Sequence, residues 1–203
     1  MQNPILVDVD GVLADFVSEV LDFINNEHKL NLTHQHVTEF HIQKCFSAYW
    51  NESTDIFINS SGFASRLKIL PGAQESIEEL RKEGHKILFV TSPLAANPTW
   101  CYDRFEWLSK HFGVTWKDVI FAHQKCHVQG ATLIDDRFKS IKEWSSFNKK
   151  TSILFEQPWN RFEQESPWKV LLNGTKIVDD YSWVSFNNWK HIVEYIKNGK
   201  VIK

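Results

Sequence analysis

Two periods of hydrophobic and polar positions run along this chain. Ile5-Leu6-Val7 is an unbroken apolar run that turns into Asp8-Val9-Asp10-Gly11, the pattern of a short buried strand ending in a polar turn. From Ala14 to Glu27, Phe16, Val20, Phe23 and Ile24 recur at three- and four-residue steps, which predicts an amphipathic helix. Between His28 and about Arg66 the pattern turns irregular and polar-aromatic, with short helical pieces and no clean strand. Leu70-Pro71-Gly72 then restarts regular structure. A helix runs to Glu83 with Ile77 and Leu80 on one face and Gly84 as its stop.

From there strands and helices alternate. His85–Val90 reads as a buried strand ending in Thr91-Ser92-Pro93, and Trp100–Phe112 as a helix with Phe105, Leu108 and Phe112 inward. Val119–Ala122 is a short strand followed by Lys125, and Ala131–Ile134 a strand ending in Asp135-Asp136-Arg137. A helix over about Ser140–Phe147 and a strand at Ser152–Phe155 complete the series. Gln157–Asn160 reads as a loop. Lys169–Leu172 and Lys176–Val178 around Asn173-Gly174 carry the signal of a tight hairpin. Asn187 or Asn188 caps a last helix with Trp189, Ile192, Val193 and Ile196 on its apolar face. The expected fold is α/β, a doubly wound (Rossmann-like) parallel sheet. A small, mostly helical cap (15–66) is inserted after the first strand, with 1–14 and 67–203 forming the core domain.

Composition narrows the function classes. With 203 residues, 42% of them hydrophobic, the chain supports one good core and a small insert. A net charge of -2 and a pI near 6.5 give no support for polynucleotide or anionic-membrane binding. Three cysteines, Cys45, Cys101 and Cys126, are odd in number and lack CxxC spacing, which argues against a disulfide framework or zinc knuckle. There is no basic leader and no apolar run of membrane length, so the expectation is a cytoplasmic protein in a reducing compartment. The sequons at Asn31, Asn51 and Asn173 then carry little weight. His34 and His36 are expected at the surface, because nothing nearby completes a ligand set with them. Nine tryptophans and 15 phenylalanines mostly fill the core. Those near the carboxylates matter more, since a flat ring is what a nucleobase stacks on.

Four polar sites follow apolar strands: Asp8/Asp10, Thr91/Ser92, Lys125 and Asp135/Asp136. Each has an ordinary explanation as a turn, cap or surface residue. In a doubly wound sheet, however, all four strand ends meet at one edge. Their chemistry is complementary. Asp8, Asp10 and Asp136 offer oxygen ligands for a hard cation such as Mg²⁺, and Thr91, Ser92 and Lys125 offer donors for phosphate oxygens. A carboxylate that attacks phosphorus and a second acid that moves a proton would complete a phosphoryl-transfer site.

Asp8-Val9-Asp10-Gly11-Val12, Thr91-Ser92, Lys125 and Asp135-Asp136 resemble the four motifs of the haloacid dehalogenase superfamily of phosphohydrolases. The stretches around Asp8–Phe16, Val90–Pro93, His123–Lys125 and Leu133–Arg137 are closer still to its 5'(3')-deoxyribonucleotidases. The resemblance spans roughly residues 4–160, with the last helix also family-like. It implies Asp8 as nucleophile, Asp10 as general acid/base, and Mg²⁺ on Asp8, the Asp10 carbonyl and Asp136. Thr91, Ser92 and Lys125 would bind phosphate. On the nucleoside side it implies Phe16, Phe40, His41 and Ile42, with His41 standing where the family has tryptophan. Leu94-Ala95-Ala96 lacks a lysine that some members carry, and Arg104 is the candidate to replace it. The segment from about 162 to 185 departs from the mammalian pattern. The expected partner is a small-molecule nucleoside monophosphate, with no polynucleotide and no membrane, and a homodimer is left open.

Three rivals are weighed against this. A phosphatase of the same superfamily acting on a sugar phosphate or other small metabolite is opposed by the aromatic insert. A phospho-receiver signalling domain shares the paired aspartates, Thr/Ser and Lys, but is shorter and lacks an insert after the first strand. A catalytically dead binding module is opposed by the retention of every required polar group.

Overall fold

In a computed structural model, residues 3–161, 169–170, 176–178 and 181–199 are described, the two short middle pieces by backbone alone. The first strand, β1 (Ile5–Val7), leads through a tight turn into helix α1 (Phe16–His28). Asp15 caps α1, its side chain accepting from the Ser18 amide at 3.0 Å. The short helices α2 (Ile42–Cys45) and α3 (Glu52–Ile58) follow, and no strand falls between β1 and residue 73 among the described residues. Then come α4 (Ala73–Lys82), β2 (Ile87–Thr91), α5 (Trp100–Phe112), β3 (Val119–Phe121) and β4 (Thr132–Asp135). The chain continues with α6 (Phe138–Asn148), β5 (Ser152–Phe155), β6 (Lys169–Val170), β7 (Lys176–Val178), β8 (Tyr181–Phe186) and α7 (Trp189–Lys197).

The sheet order is β3-β2-β1-β4-β5-β8-β7-β6. The six strands from β3 to β8 run parallel, and β7 and β6 add antiparallel pairs at the edge. The chain builds outward from β1 to β3 and then returns to β4 on the other side of β1. The topological switch therefore lies between β1 and β4, where such sheets open a crevice at their carboxyl ends. Both sheet faces are covered. Ile5 and Val7 belong to the large cluster shared with α1, α4, α5 and α7, while Leu6 points oppositely, to Val90, Leu133 and Trp144. The large cluster continues without a break into Val37, Ile42, Phe46 and Ile58 of the segment after α1. That segment is thus fastened to the sheet by apolar packing.

Most elements match the apolar pattern to within a residue or two. Two do not. Phe105 is not inward on α5: it is half-buried and stacks on the exposed Trp116 with ring centres 3.7 Å apart. The buried positions of α5 are instead Trp100, Asp103, Arg104, Trp107, Leu108 and Phe112. Strand β8 was not expected at all. It pairs parallel with β5 and extends the sheet, and the hairpin pairing Lys169↔Ile177 leans on it through β7. The expected turn at Asn173-Gly174 lies outside the described residues. At the last helix, Asn188 is the cap, accepting from the His191 amide at 3.0 Å.

Candidate active site

The carboxyl ends of β1 and β4 lie side by side because Val7 pairs with Ile134 and the Asp8 amide donates to the Ile134 carbonyl at 2.9 Å. That register brings Asp8 beside Asp135 and Asp136, whose carboxylate oxygens come within 4.8 Å of one another, all three residues buried. Lys125, on a single 3-10 turn after β3, reaches into the same spot. Its Nζ lies 2.6 Å from Asp8 Oδ1 and 2.7 Å from Asp135 Oδ2, with only 5% of the side chain exposed. Burial opposes the charge on Lys125, but Asp135 and Asp8 outweigh it and raise the pKa.

Three carboxylates here face one ammonium. Burial, ahead of the opposing pull of Lys125, pushes the Asp8 carboxyl up to about 7. Asp136 is raised well above its ordinary value by burial, with Asp135 and Asp8 adding to it. A compact, all-oxygen, negatively overloaded cluster fits a hard divalent cation, which would relieve that repulsion. Both Asp135 oxygens are already engaged, with Lys125 and with the Arg137 amide at 2.8 Å. That leaves Asp8 and Asp136 as the better-disposed side-chain ligands. The expected surface histidines take no part: His34 bonds Ser18 and Asp15, and His36 bonds Thr33.

The turn after β1 requires glycine. Gly11 has φ +75°, and a Cβ there would lie 2.3 Å from Asp136 Oδ2. The Val9 carbonyl accepts from the Leu13 and Ala14 amides, both at 2.8 Å, which closes the turn tightly. Distant residues then pin it: Gln157 Nε2 donates to the Gly11 carbonyl at 2.7 Å and Trp189 Nε1 to the Val12 carbonyl at 2.9 Å. Trp159 Nε1 donates to Asp136 Oδ2 at 2.7 Å, and Asn160 Nδ2 holds the Asp136 carbonyl at 2.7 Å. Gln157–Asn160, expected as a loop, forms a single 3-10 turn over Pro158–Asn160. The only available signal was its position just after a buried strand, like the other polar sites.

Above these groups opens a cleft of about 490 Å³. Asp8, Asp10, Ser92 and Lys125 lie on its floor, and Phe16, Phe40, His41 and Ile42 line the rest, so the expected phosphate side and nucleoside side share one cavity. Arg137 lies 4.7 Å from the Phe40 ring centre and so links the strand end to the helical segment. Ile58, near which the resemblance places a further pocket position, also lines the cleft, as do Trp100 and Trp159, which the sequence did not single out.

Two expected residues sit elsewhere. Arg104, the candidate to replace a missing lysine, is fully buried and outside the cavity wall, with its guanidinium on Asp10 at 2.5 Å. It lies on the inward face of α5, so its charge meets the carboxylate beneath the cleft. Thr91 ends β2 fully buried, its hydroxyl without a partner among the described residues, and the adjoining cavity wall is Ser92 and Pro93. The Ser92 hydroxyl donates to the Ala122 carbonyl at 3.1 Å. Asp10, turned toward Arg104, is outside the carboxylate cluster.

A parallel sheet whose first strand leads into an aspartate pair, with a lysine on the turn after β3 and a second aspartate pair at the end of the neighbouring β4, is the haloacid-dehalogenase-like fold. A "putative haloacid dehalogenase-like hydrolase" from Burkholderia xenovorans superposes with TM-score 0.55 at 12% identity, covering 96% of each chain. The "putative HAD-hydrolase YfnB" of Bacillus subtilis, solved bound to magnesium, gives 0.51 at 12% identity over 95% of this chain and 97% of that one.

Within that fold the chain belongs to one family. Residues 2–169 match the model described as "5' nucleotidase, deoxy (Pyrimidine), cytosolic type C protein". A relative from Bordetella pertussis, named "Putative 5'(3')-deoxyribonucleotidase", is 27% identical over 179 residues, covering 84% of this chain and 95% of its own. The family is one of phosphoric monoester hydrolases, and among the described residues no helix is long and apolar enough to cross a membrane.

Proposed function

We propose that this protein is a Mg²⁺-dependent phosphohydrolase that removes phosphate from (deoxy)nucleoside monophosphates through an aspartyl-phosphate. The observation that carries the reading is one cleft with Asp8 and Lys125, 2.6 Å apart, at its floor and aromatic side chains along its walls. A sugar phosphate needs no such walls, whereas a base stacks on them.

In this reading Asp8 attacks phosphorus and Lys125 holds the phosphate oxygens, its charge balancing what builds up as the phosphoryl group transfers. Asp10 gives a proton to the departing nucleoside oxygen and later takes one from the attacking water. Burial raises the Asp10 carboxyl against the opposing charges of Arg104 and Lys125, which favours a proton-carrying form. Asp8, Asp136 and the Asp10 carbonyl would hold Mg²⁺, which when bound supplies charge neutralisation at the phosphate. Ser92 is assigned to phosphate binding, and a small rotation of its hydroxyl away from Ala122 would free it to donate; the Thr91 hydroxyl is buried outside the cleft wall. Residues 15–66 act as a cap that supplies Phe16, Phe40, His41 and Ile42 to the nucleoside.

The test is a phosphate-release panel of ribo- and deoxynucleoside monophosphates beside sugar phosphates, with and without Mg²⁺. Nucleotide turnover that needs Mg²⁺ and vanishes in Asp8→Asn is the expected result. A clear preference for sugar phosphates would replace the substrate assignment, and full activity of Asp8→Asn would remove the mechanism.

A further inference from the structure

Arg104 lies under the cleft, and its surroundings leave it one direction in which to act. It is flanked on α5 by Trp100 and Trp107, four residues before and three after, which lie on the same helix face. Its guanidinium carbon is 5.1 Å from the Trp100 ring centre and 5.5 Å from that of Trp107. Both rings are themselves fixed, Trp107 by its Nε1 donating to the Leu67 carbonyl at 2.7 Å and Trp100 by stacking on Phe63. The arginine has no exposed surface, and its Nε and Nη1 have no hydrogen-bond partner among the described residues. Nη2 donates to Asp10 Oδ1 at 2.5 Å. A buried guanidinium is tolerated only when its charge is answered, and here Asp10 is the carboxylate that answers it.

The other Asp10 oxygen, Oδ2, makes no bond to the protein among the described residues, and Asp10 lines the cleft whereas Arg104 does not. We propose that Arg104 is a positioning residue. It grips Oδ1 from beneath, sets the carboxyl rotamer, and presents Oδ2 to the oxygen that departs from phosphorus. The proposal rests on the phosphohydrolase reading above.

As an Asp8 oxygen bonds to phosphorus, the ester P–O bond breaks with its electron pair left on the nucleoside oxygen. The proton on Asp10 Oδ2 moves to that oxygen and the alcohol leaves. In the second half, water attacks phosphorus, its proton returns to Oδ2, and the P–O bond to Asp8 breaks to free phosphate and the Asp8 carboxylate. A misaimed Oδ2 slows the first proton transfer most when the leaving group is a poor one, because an alkoxide cannot depart unprotonated.

The experiment compares two leaving groups. Nitrophenolate departs without a proton, so p-nitrophenyl phosphate hardly needs Asp10 in the first step. In single turnovers Arg104→Met is expected to lower the rate of nucleoside release from a nucleoside monophosphate by roughly 10²-fold with little change in substrate binding, and to lower the rate of nitrophenolate release far less. Arg104→Lys, which restores a charge to Asp10, should recover much of the nucleotide rate. Equal losses in the two release rates would assign Arg104 a purely structural role and overturn the proposal, as would an undiminished rate of nucleoside release. Should Arg104→Met fail to fold, Arg104→Gln decides by the same ratio. Should the wild type prove to favour another alkyl phosphate, that ester takes the nucleotide's place, so the substrate assignment and the role of Arg104 fail separately.

Discussion

The floor of the cleft and its walls are built by different physics. On the floor, Asp8, Lys125, Asp135 and Asp136 are buried and bonded at 2.6–2.8 Å, each held by a strand end or the turn beside it. In the walls, Phe16 and Phe40 are half-buried, His41 is exposed, and the supporting helices α2 and α3 have only four and seven residues. Few directional bonds hold the wall residues, and their position comes from apolar packing into the main cluster. A floor of this kind tolerates almost no change of chemistry, since its charges act on one another in a low-dielectric setting. Walls held by packing exchange side chains more readily, so reaction and substrate preference can vary separately.

The largest expected break in that comparison is at Asp8, the proposed nucleophile. Asp8→Asn should lower Mg²⁺-dependent phosphate release by about 10⁴-fold or more. Its fold should persist, because the change removes a buried charge and leaves Lys125 its 2.7 Å bond to Asp135; circular dichroism and denaturant titration check this.

Lys125→Met should come next, and it acts on stability as well as activity. It leaves three buried carboxylates with no ammonium among them, which is expected to cost about 3–5 kcal/mol in denaturant unfolding. A variant of unchanged midpoint would show that the floor is not held by charge.

On the walls, Phe40→Ala should leave stability nearly intact and reduce kcat/KM on nucleotides by roughly 5- to 150-fold, the range of one lost stacking contact. Turnover of p-nitrophenyl phosphate should change little. Equal losses on the two substrates would place Phe40 with the floor in its energetic role.

The smallest effect is a pH dependence. Asp8 is held up to about 7 by burial, against about 3.9 in an unfolded chain. The folded state therefore binds that proton more tightly. Its stabilising contribution is full below about pH 4 and is lost as pH rises through about 7. A cation on the ionised carboxylates offsets the loss, so added Mg²⁺ should raise Tm more near pH 8 than near pH 5. Equal shifts at the two pH values would place the cation away from Asp8.

Much of the floor was legible before any coordinates. Apolar runs that end in Asp8-Val9-Asp10-Gly11, in Thr91-Ser92 and in Asp135-Asp136 are local signals, and the alternation of periods orders the strands that carry them. Strand β8 escaped because Tyr181–Phe186 is recruited by pairing with β5, whose partner residues lie 31 positions earlier, Ser152 against Trp183. Trp159 and Gln157 escaped for a similar reason. Nothing in Gln157-Pro158-Trp159-Asn160 says that these side chains will close on Asp136 and on the carbonyl of Gly11, 146 residues away.

The sequence by itself determined the strand-helix order, the carboxylates at the strand ends and the glycine between them, because each depends on residues adjacent in the chain. The tertiary structure alone decided which of those groups meet. Register between β1 and β4 brings Asp8 to Asp136, and the inward face of α5 turns Arg104 from a candidate cavity residue into the partner of Asp10. A side chain's charge is written at its own position, but what answers that charge is set by whichever distant segment packs against it.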